Sequence, residues 1–357
     1  MRPFLPTRRQ FVQAAAAAAL PGAAWALRPL AGGMADGPAA GGGGAPIRVA
    51  VGAQATLYHL PLLVAQELDL FAAEGLSVQV TDYAAGAQAA RALAAGAADV
   101  CCGAYEHVVR GQLRGDDWRS LVLLARAPQI ALTAQARYAS AEGLSRLKGL
   151  RVGVTAPGSS THYLASLWLR EAGIAPGDVR FLAVGNGAAA VDALRQTRVH
   201  AVCHADPVIT LLEQRLDARV LADARSLKGS AQLYGGPMPG ACLFAPQLFV
   251  QRQPREAQAL VHAMARALRW LQTASPADLT RVVPKAYLLG DRGAYLAAFE
   301  KVRETLSPDG LMPADGPATA LRAVTRAEPA AAQARVLLEK TYSNSWAQRA
   351  QQRLEQV

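Results

Sequence analysis

Charged and aromatic side chains are both scarce in this sequence. Only 18% of its 357 residues are charged and 6% are aromatic, while 52% are hydrophobic. Much of that apolar content is alanine, which suits many closely packed helices. No lysine- and arginine-dense run interleaved with aromatics occurs, which argues against nucleic acid as a partner. The four cysteines, Cys101, Cys102, Cys203 and Cys242, match no zinc-ligand spacing. Adjacent Cys101 and Cys102 must point to opposite faces of any strand. An oxidising compartment permits a disulfide, but each cysteine lies in an apolar context, so buried single thiols are expected. The G-x-S-x-G, H-E-x-x-H and P-loop patterns are absent. No catalytic group, metal site or cofactor is therefore expected.

What is present begins with an export-type leader. Thr7-Arg8-Arg9-Gln10-Phe11-Val12 precedes a weakly apolar run over residues 14–24, and Ala24-Trp25-Ala26 offers a small-x-small cleavage site. That order predicts a twin-arginine signal peptide over residues 1–26 and a periplasmic location. The apolar run is too short to span a bilayer, no cysteine follows it to suggest a lipoprotein, and no other membrane span is expected. Residues 27–46, rich in Gly, Ala and Pro, read as a linker. Removing Arg2, Arg8 and Arg9 takes the formal charge from +10 to +7. The remaining cations are scattered along helices, the pattern of a solvated surface.

The length favours two domains over one, and the chain shows one element order twice. Apolar strands at 47–51, 76–80 and 99–102 alternate with helices at 62–71 and 89–95, and further strands follow at 121–125 and 130–133. Residues 147–174 then open a second series: a strand at 150–154, a Pro/Gly turn at 156–160, and a helix stopped by Gly173. Strands at 179–184, 200–203 and 219–221 and helices at 188–195 and 208–214 complete it. Two open α/β sheets facing each other make a cleft, and ligands of such sheets bind at the carboxyl ends of the strands. Amphipathic helices at 255–273, 276–283, 293–305, 317–326 and 331–353 form a tail expected to pack on the first domain.

The turn at Ser159-Ser160-Thr161 stands where a helix starts. A helix N-terminus exposes unpaired N–H groups and a partial positive charge, so this turn suits an anion. It equally suits an ordinary capped turn with Ser159 or Ser160 as the N-cap.

The order of these pieces resembles a known family. Residues 61–78, 92–100, 147–174 and 201–207 resemble periplasmic binding proteins for nitrate, sulfonates, taurine and thiamine-pyrimidine precursors, and the resemblance covers residues 47–272. That family is the substrate-binding component of ABC importers. The resemblance implies an α/β, type II periplasmic binding protein fold: two α/β lobes with a cleft between them and a C-terminal helical tail. It implies a first lobe of residues 47–133 and 241–357, a second lobe of residues 134–240, and crossing strands near 131–135 and 238–244. It further implies a monomer that closes on a small-molecule ligand and presents itself to an ABC permease in the inner membrane, with its ATPase.

By position, the cleft-lining candidates are Gln54, Thr56, Tyr58, His59, Gly86, Ala87, Tyr105 and Glu106 from the first lobe. Ser159, Ser160, Thr161, His162, Asn186 and Asp206 come from the second. Tyr58, Tyr105 and Tyr234 are candidates to pack on an apolar or aromatic body. Each polar candidate also has a structural role open to it. Thr161 suits a helix cap, His59 a surface loop, Asp206 and Glu106 helix starts, and Asn186 a turn; His162 can lie outside the cleft. A carboxylate at Glu106 opposes a purely anionic ligand and suits an amine, a zwitterion or a protonated pyrimidine. Two other functions stay open: a ligand-dependent sensor, and an enzyme on the same fold, of desulfinase or pyrimidine-synthesis type. The enzyme would use Cys101, Cys102 or Cys203 with a histidine. The cysteine of the desulfinase type belongs in the first loop, where this chain has residues 54–59.

Overall fold

The computed structural model describes residues 45–139, 143–216, 218–328 and 335–356. The expected signal peptide, and the expected linker up to residue 44, lie outside these residues. The first half runs β1 (Ile47–Gly52), α1 (Leu60–Glu67), α2 (Leu70–Ala73), β2 (Val78–Tyr83), α3 (Gly86–Ala94), β3 (Val100–Ala104), α4 (Glu106–Leu113), β4 (Trp118–Leu123). The second runs β5 (Ile130–Gln135), β6 (Arg151–Val154), α5 (Ser160–Glu171), β7 (Arg180–Ala183), α6 (Gly187–Arg195), β8 (Ala201–Ala205), α7 (Val208–Arg215), β9 (Ala218–Asp223), α8 (Leu227–Tyr234). The chain then forms β10 (Ala241–Pro246), α9 (Gln247–Arg252), α10 (Pro254–Thr273), α11 (Pro276–Val282), α12 (Arg292–Val302), α13 (Gly316–Ala327) and α14 (Ser345–Glu355).

Two five-stranded sheets result, ordered β2-β1-β3-β10-β4 and β7-β6-β8-β5-β9. The repeated order expected from the sequence is thus repeated topology. In each sheet the fourth place is taken by a strand antiparallel to both its neighbours, β10 in the first and β5 in the second. All of β5 pairs within the second sheet and all of β10 within the first, so the expected boundary at 133/134 falls inside β5. The chain passes between the sheets through 124–129, just ahead of the expected 131–135, and through 235–240, which overlaps the expected 238–244.

Alternation along the strands explains the layers. Val49 and Val51 of β1 point into an apolar cluster beneath α1, α10 and α14, while Ala50 between them points into a second cluster. Cys102 joins the first cluster and Cys101 the second. The second cluster continues through Ile130, Leu132, Val152 and Leu164, so the two sheets share one apolar layer. A smaller cluster under α6 and α7 covers the far face of the second sheet. Of the C-terminal helices, α10 and α14 cover the first sheet, but α12 packs on α7, and α13 packs on α4, α5 and α8. The tail therefore reaches both halves. The helix expected over 331–353 is shorter: among the described residues it begins only at Ser345, after an irregular stretch and a single turn at 338–340. No described helix is long and apolar enough to cross a membrane.

The two crossing segments touch through backbone. The Gly240 N–H donates to the Ala125 carbonyl at 2.8 Å, and the Leu124 N–H donates to the Ala241 carbonyl at 2.8 Å. A Cβ added at Gly240 would stand 2.1 Å from the Ala127 carbonyl oxygen. Gly240→Ala must therefore force the segments apart, and a loss of about 1–3 kcal/mol is expected in urea unfolding. Gly177→Ala, with nothing within 4 Å of the new methyl, should change stability by only ~0.5 kcal/mol or less. Equal midpoints for the two variants would contradict this account of the crossing.

Candidate functional site

The carboxyl ends of β1, β3, β6 and β8 bring four loops together. At the first, Gly52 closes against the start of α3. A Cβ there would lie 2.3 Å from the Gly86 nitrogen, so only glycine lets these backbones meet. Helix α3 starts at Gly86 with Ala85 in the N-cap position, a residue with no side-chain acceptor to offer. The missing acceptor comes from the other half of the molecule: the Ala87 N–H donates to Ser159 Oγ at 3.1 Å.

Ser159 itself holds the N-cap position of α5, with an extended backbone, but makes no side-chain bond to its own helix. The sequence places a capping serine here; the structure turns its hydroxyl across the cleft to serve α3. Thr161 does not cap either. Its Oγ1 accepts from the Thr155 N–H at 3.0 Å and bonds the Thr155 hydroxyl at 2.9 Å, which fixes the turn after β6. His162 accepts from the Gly158 N–H through Nδ1 at 3.1 Å and sets its ring edge-on to Phe181. Burial, aided by the nearby Arg110 charge, holds its pKa below the usual histidine value, as befits an acceptor.

Gly86, Ser159, Ser160 and Thr161 thus set the N-termini of α3 and α5 against one cavity of about 10 Å³, which Thr56, Tyr58, Thr155 and His204 also line. The loops are in contact around it. The Leu57 N–H donates to the Asp206 carbonyl at 2.9 Å. Arg110 of α4 donates through Nη1 to the Gly158 carbonyl at 2.9 Å and through Nη2 to Glu328 Oε1 at 2.8 Å, with its guanidinium stacked 4.0 Å above the Tyr163 ring. Two positive helix ends aimed at one small polar space form an arrangement that an anion stabilises from both sides, by about 0.3–1 kcal/mol per helix end.

Several candidates sit elsewhere. Gln54 bonds Gln66 through its side chain and accepts nothing from the cavity. His59 is fully buried, not in a surface loop. Its ring lies against Tyr58, and its Nδ1 is 3.3 Å from Cys102 Sγ. Burial lowers its pKa to about 3, so the imidazole is neutral. Tyr105 points to the C-terminal tail, its hydroxyl 2.5 Å from Thr341 Oγ1. Asp206 follows the helix-start alternative: its Oδ1 accepts from the Thr210 N–H at 2.8 Å, and its Oδ2 lies 3.3 Å from the buried Arg225 guanidinium. Asn186 is half-buried at the start of α6 and makes no capping bond. Glu106 opens α4 and is buried. Burial raises the carboxyl pKa.

Sequence reasoning does not place Arg110, Thr155 or His204 in the cleft. In sequence Arg110 is one of many scattered cations, and only the fold brings it to Gly158 and Glu328. Thr155 and His204 occupy strand ends beside residues that were chosen, so strand-end position alone was the available signal. All four cysteines are free and buried. Burial pushes the Cys242 thiol up to about 12 and raises Cys101, Cys102 and Cys203 above the ordinary range too.

The chain is similar to a solved structure from Bordetella bronchiseptica RB50, with 40% identity, a TM-score of 0.83, and coverage of 87% of this chain and 98% of that one. It is also similar to the alkanesulfonate-binding protein SsuA of Xanthomonas axonopodis pv. citri, solved with bound MOPS. That match has 19% identity and a TM-score of 0.64, covering 84% of this chain and 98% of that one. A 4-amino-5-hydroxymethyl-2-methylpyrimidine phosphate synthase from Uromyces fabae is 31% identical over 107 residues, 30% of this chain and 31% of that protein, so the match spans under a third of that relative's length. The architecture is the type II periplasmic binding protein fold, with two α/β lobes, a cleft and C-terminal helices. A family model described as NMT1-like matches residues 42–283, and the chain belongs to the NMT1-like family.

Proposed function

We propose that this protein is the periplasmic solute-binding component of an ABC importer, and that it holds a small organic anion between its lobes. One observation carries this reading. The N-termini of α3 and α5, from opposite lobes, share one cavity, and Ser159 Oγ links them through the Ala87 N–H. At about 10 Å³ the cavity is water-sized, so the lobes must part to admit a sulfonate or carboxylate, which backbone N–H groups and hydroxyls would then hold without a full counter-charge. It is also completed only when the lobes meet, so ligand binding and closure are one event. Residues 124–129 and 235–240 serve as the hinge. The closed form is what a membrane permease with its ATPase would recognise, and the leader over 1–26 would deliver the protein to the periplasm by the twin-arginine route. The SsuA relative is an alkanesulfonate-binding protein, which supports sulfonates as the first class to test alongside carboxylates, nitrate and pyrimidines.

One observation favours a second reading, an enzyme: the 3.3 Å approach of Cys102 Sγ to His59 Nδ1, together with the partial match to a pyrimidine phosphate synthase. A nucleophilic thiol needs a lowered pKa and access. Here burial raises the thiol and lowers the imidazole, so the pair stays neutral.

Thermal melting with each ligand class at a hundredfold excess over Kd should show stabilisation of about 2.7 kcal/mol for the class that binds; no shift with any class would contradict the anion reading. Replacing both Ser159 and Ser160 with alanine should weaken binding about tenfold in calorimetry, the worth of a lost hydrogen bond or two, with cooperative unfolding retained. Thiol labelling at neutral pH should be slow for all four cysteines until the protein unfolds. Rapid, ligand-blocked labelling of Cys102 alone would favour the enzyme.

A further inference from the structure

A cavity of about 220 Å³ lies between α3 and α4. Ala87, Ala90 and Ala94 line it from α3, and His107, Arg110 and Arg114 line it from α4 and its end. Both sets recur at i, i+3 and i+7, so each helix turns one face to the space. The short alanine side chains leave it open. Arg91 adds a third guanidinium from α3, and Gly158, in the turn ahead of α5, forms a wall.

Three guanidiniums line this space, and among the described residues no carboxylate does. Arg110 and Arg114 pair with Glu328 at 2.8 Å and Asp116 at 2.9 Å, both outside the lining. A guanidinium carries five N–H groups, so each keeps donors beyond these bonds. Arg91 has no ion pair or side-chain hydrogen bond among the described residues. His107 is 4% exposed, and its Nε2 has no hydrogen-bond partner among the described residues. A Cβ on Gly86 would stand 3.1 Å from that nitrogen, so the ring lies at the first turn of α3, whose positive end also favours an anion. Burial, aided by the Arg110 and Arg114 charges, lowers the His107 pKa to about 3, and the neutral ring offers one N–H donor. Buried polar groups are paired in the great majority of cases. An unpartnered imidazole nitrogen beside a cavity with three guanidiniums therefore points to an acceptor from outside the chain.

We infer that the groove between α3 and α4 is a second anion site, separate from the cleft cavity, for a phosphoryl group: free inorganic phosphate or a small phosphate ester. Such a group carries about −1.5 to −2 charge at pH 7 and three acceptor oxygens, which suits three cations and an imidazole donor. Planar guanidinium forks match those oxygens in pairs. No residue lines both this groove and the cleft cavity, and the groove is far roomier than the 10 Å³ there, so a ligand enters without the lobes parting. The inference therefore stands independently of the cleft reading.

Calorimetry at pH 7 and fixed ionic strength tests this, with inorganic phosphate and glycerol 3-phosphate as probes. At least one should bind saturably; binding of the free ion names it as the occupant, and binding of the ester alone names a phosphorylated organic ligand. Arg91→Ala with Arg114→Ala should weaken that binding about tenfold or more. Arg252→Ala with Arg255→Ala, which removes the same charge from exposed positions elsewhere, should leave it within about twofold. If the first pair fails to fold, Arg91→Ala alone, at an exposed helix position, should still weaken binding about threefold. Saturable binding of neither probe, no loss in the Arg91 variants, or an equal loss in the Arg252 and Arg255 variant would overturn the inference. So would binding that Ser159→Ala with Ser160→Ala abolishes and the Arg91 variants spare, which would put the phosphate in the cleft and leave the anion reading standing.

Discussion

The candidate site turns on a hydrogen bond between lobes, from the Ala87 N–H to Ser159 Oγ. It links two helix starts that would otherwise face each other uncapped, since neither Ala85 nor Ser159 caps its own helix. Opposed helix N-termini repel weakly through their partial positive charges. A hydroxyl oxygen between them relieves part of that, and an anion would relieve more. This hydrogen bond between the lobes and the interaction proposed to hold the ligand are thus the same electrostatic demand met by different acceptors. This gives a physical reason for binding and closure to be coupled.

Close backbone contact makes the arrangement possible. Gly52 admits the start of α3, and Gly240 admits the neighbouring crossing segment. Around this centre Arg110 braces α4 against the turn at Gly158 and the end of α13, so three separate elements meet on one guanidinium. An arginine suits this place because its planar fork serves two acceptors at once while its face stacks on Tyr163.

Much of the architecture was legible because local rules agree with the fold. Strands β1, β3 and β6 are short apolar runs, α5 stops just before the left-handed Gly173, and the β–α order recurs after residue 147. The alternation rule also put Cys101 and Cys102 on opposite faces. Local rules failed in two ways. Alanine-rich sequence extended a helix back from 345 to 331, where propensity alone could not mark the start. Side chains with long-range partners were the other failure. Ser159 reads as a cap for its own helix, and nothing within a few residues reveals Ala87 as its partner. Arg110 meets Glu328 across 218 positions of sequence. Asp206 went the other way: the local rule for helix starts describes its bond to Thr210, and the ion pair with Arg225 lies outside the cavity.

The most direct test of the central claim is an amide chemical-shift titration of ¹⁵N-labelled protein with the anion that stabilises it. If α3 and α5 hold the anion jointly, the amides of Gly86, Ala87, Ser160 and Thr161 should shift together and saturate at one ligand concentration. Stabilisation by the anion with those four amides unmoved, or with only one helix responding, would contradict the account.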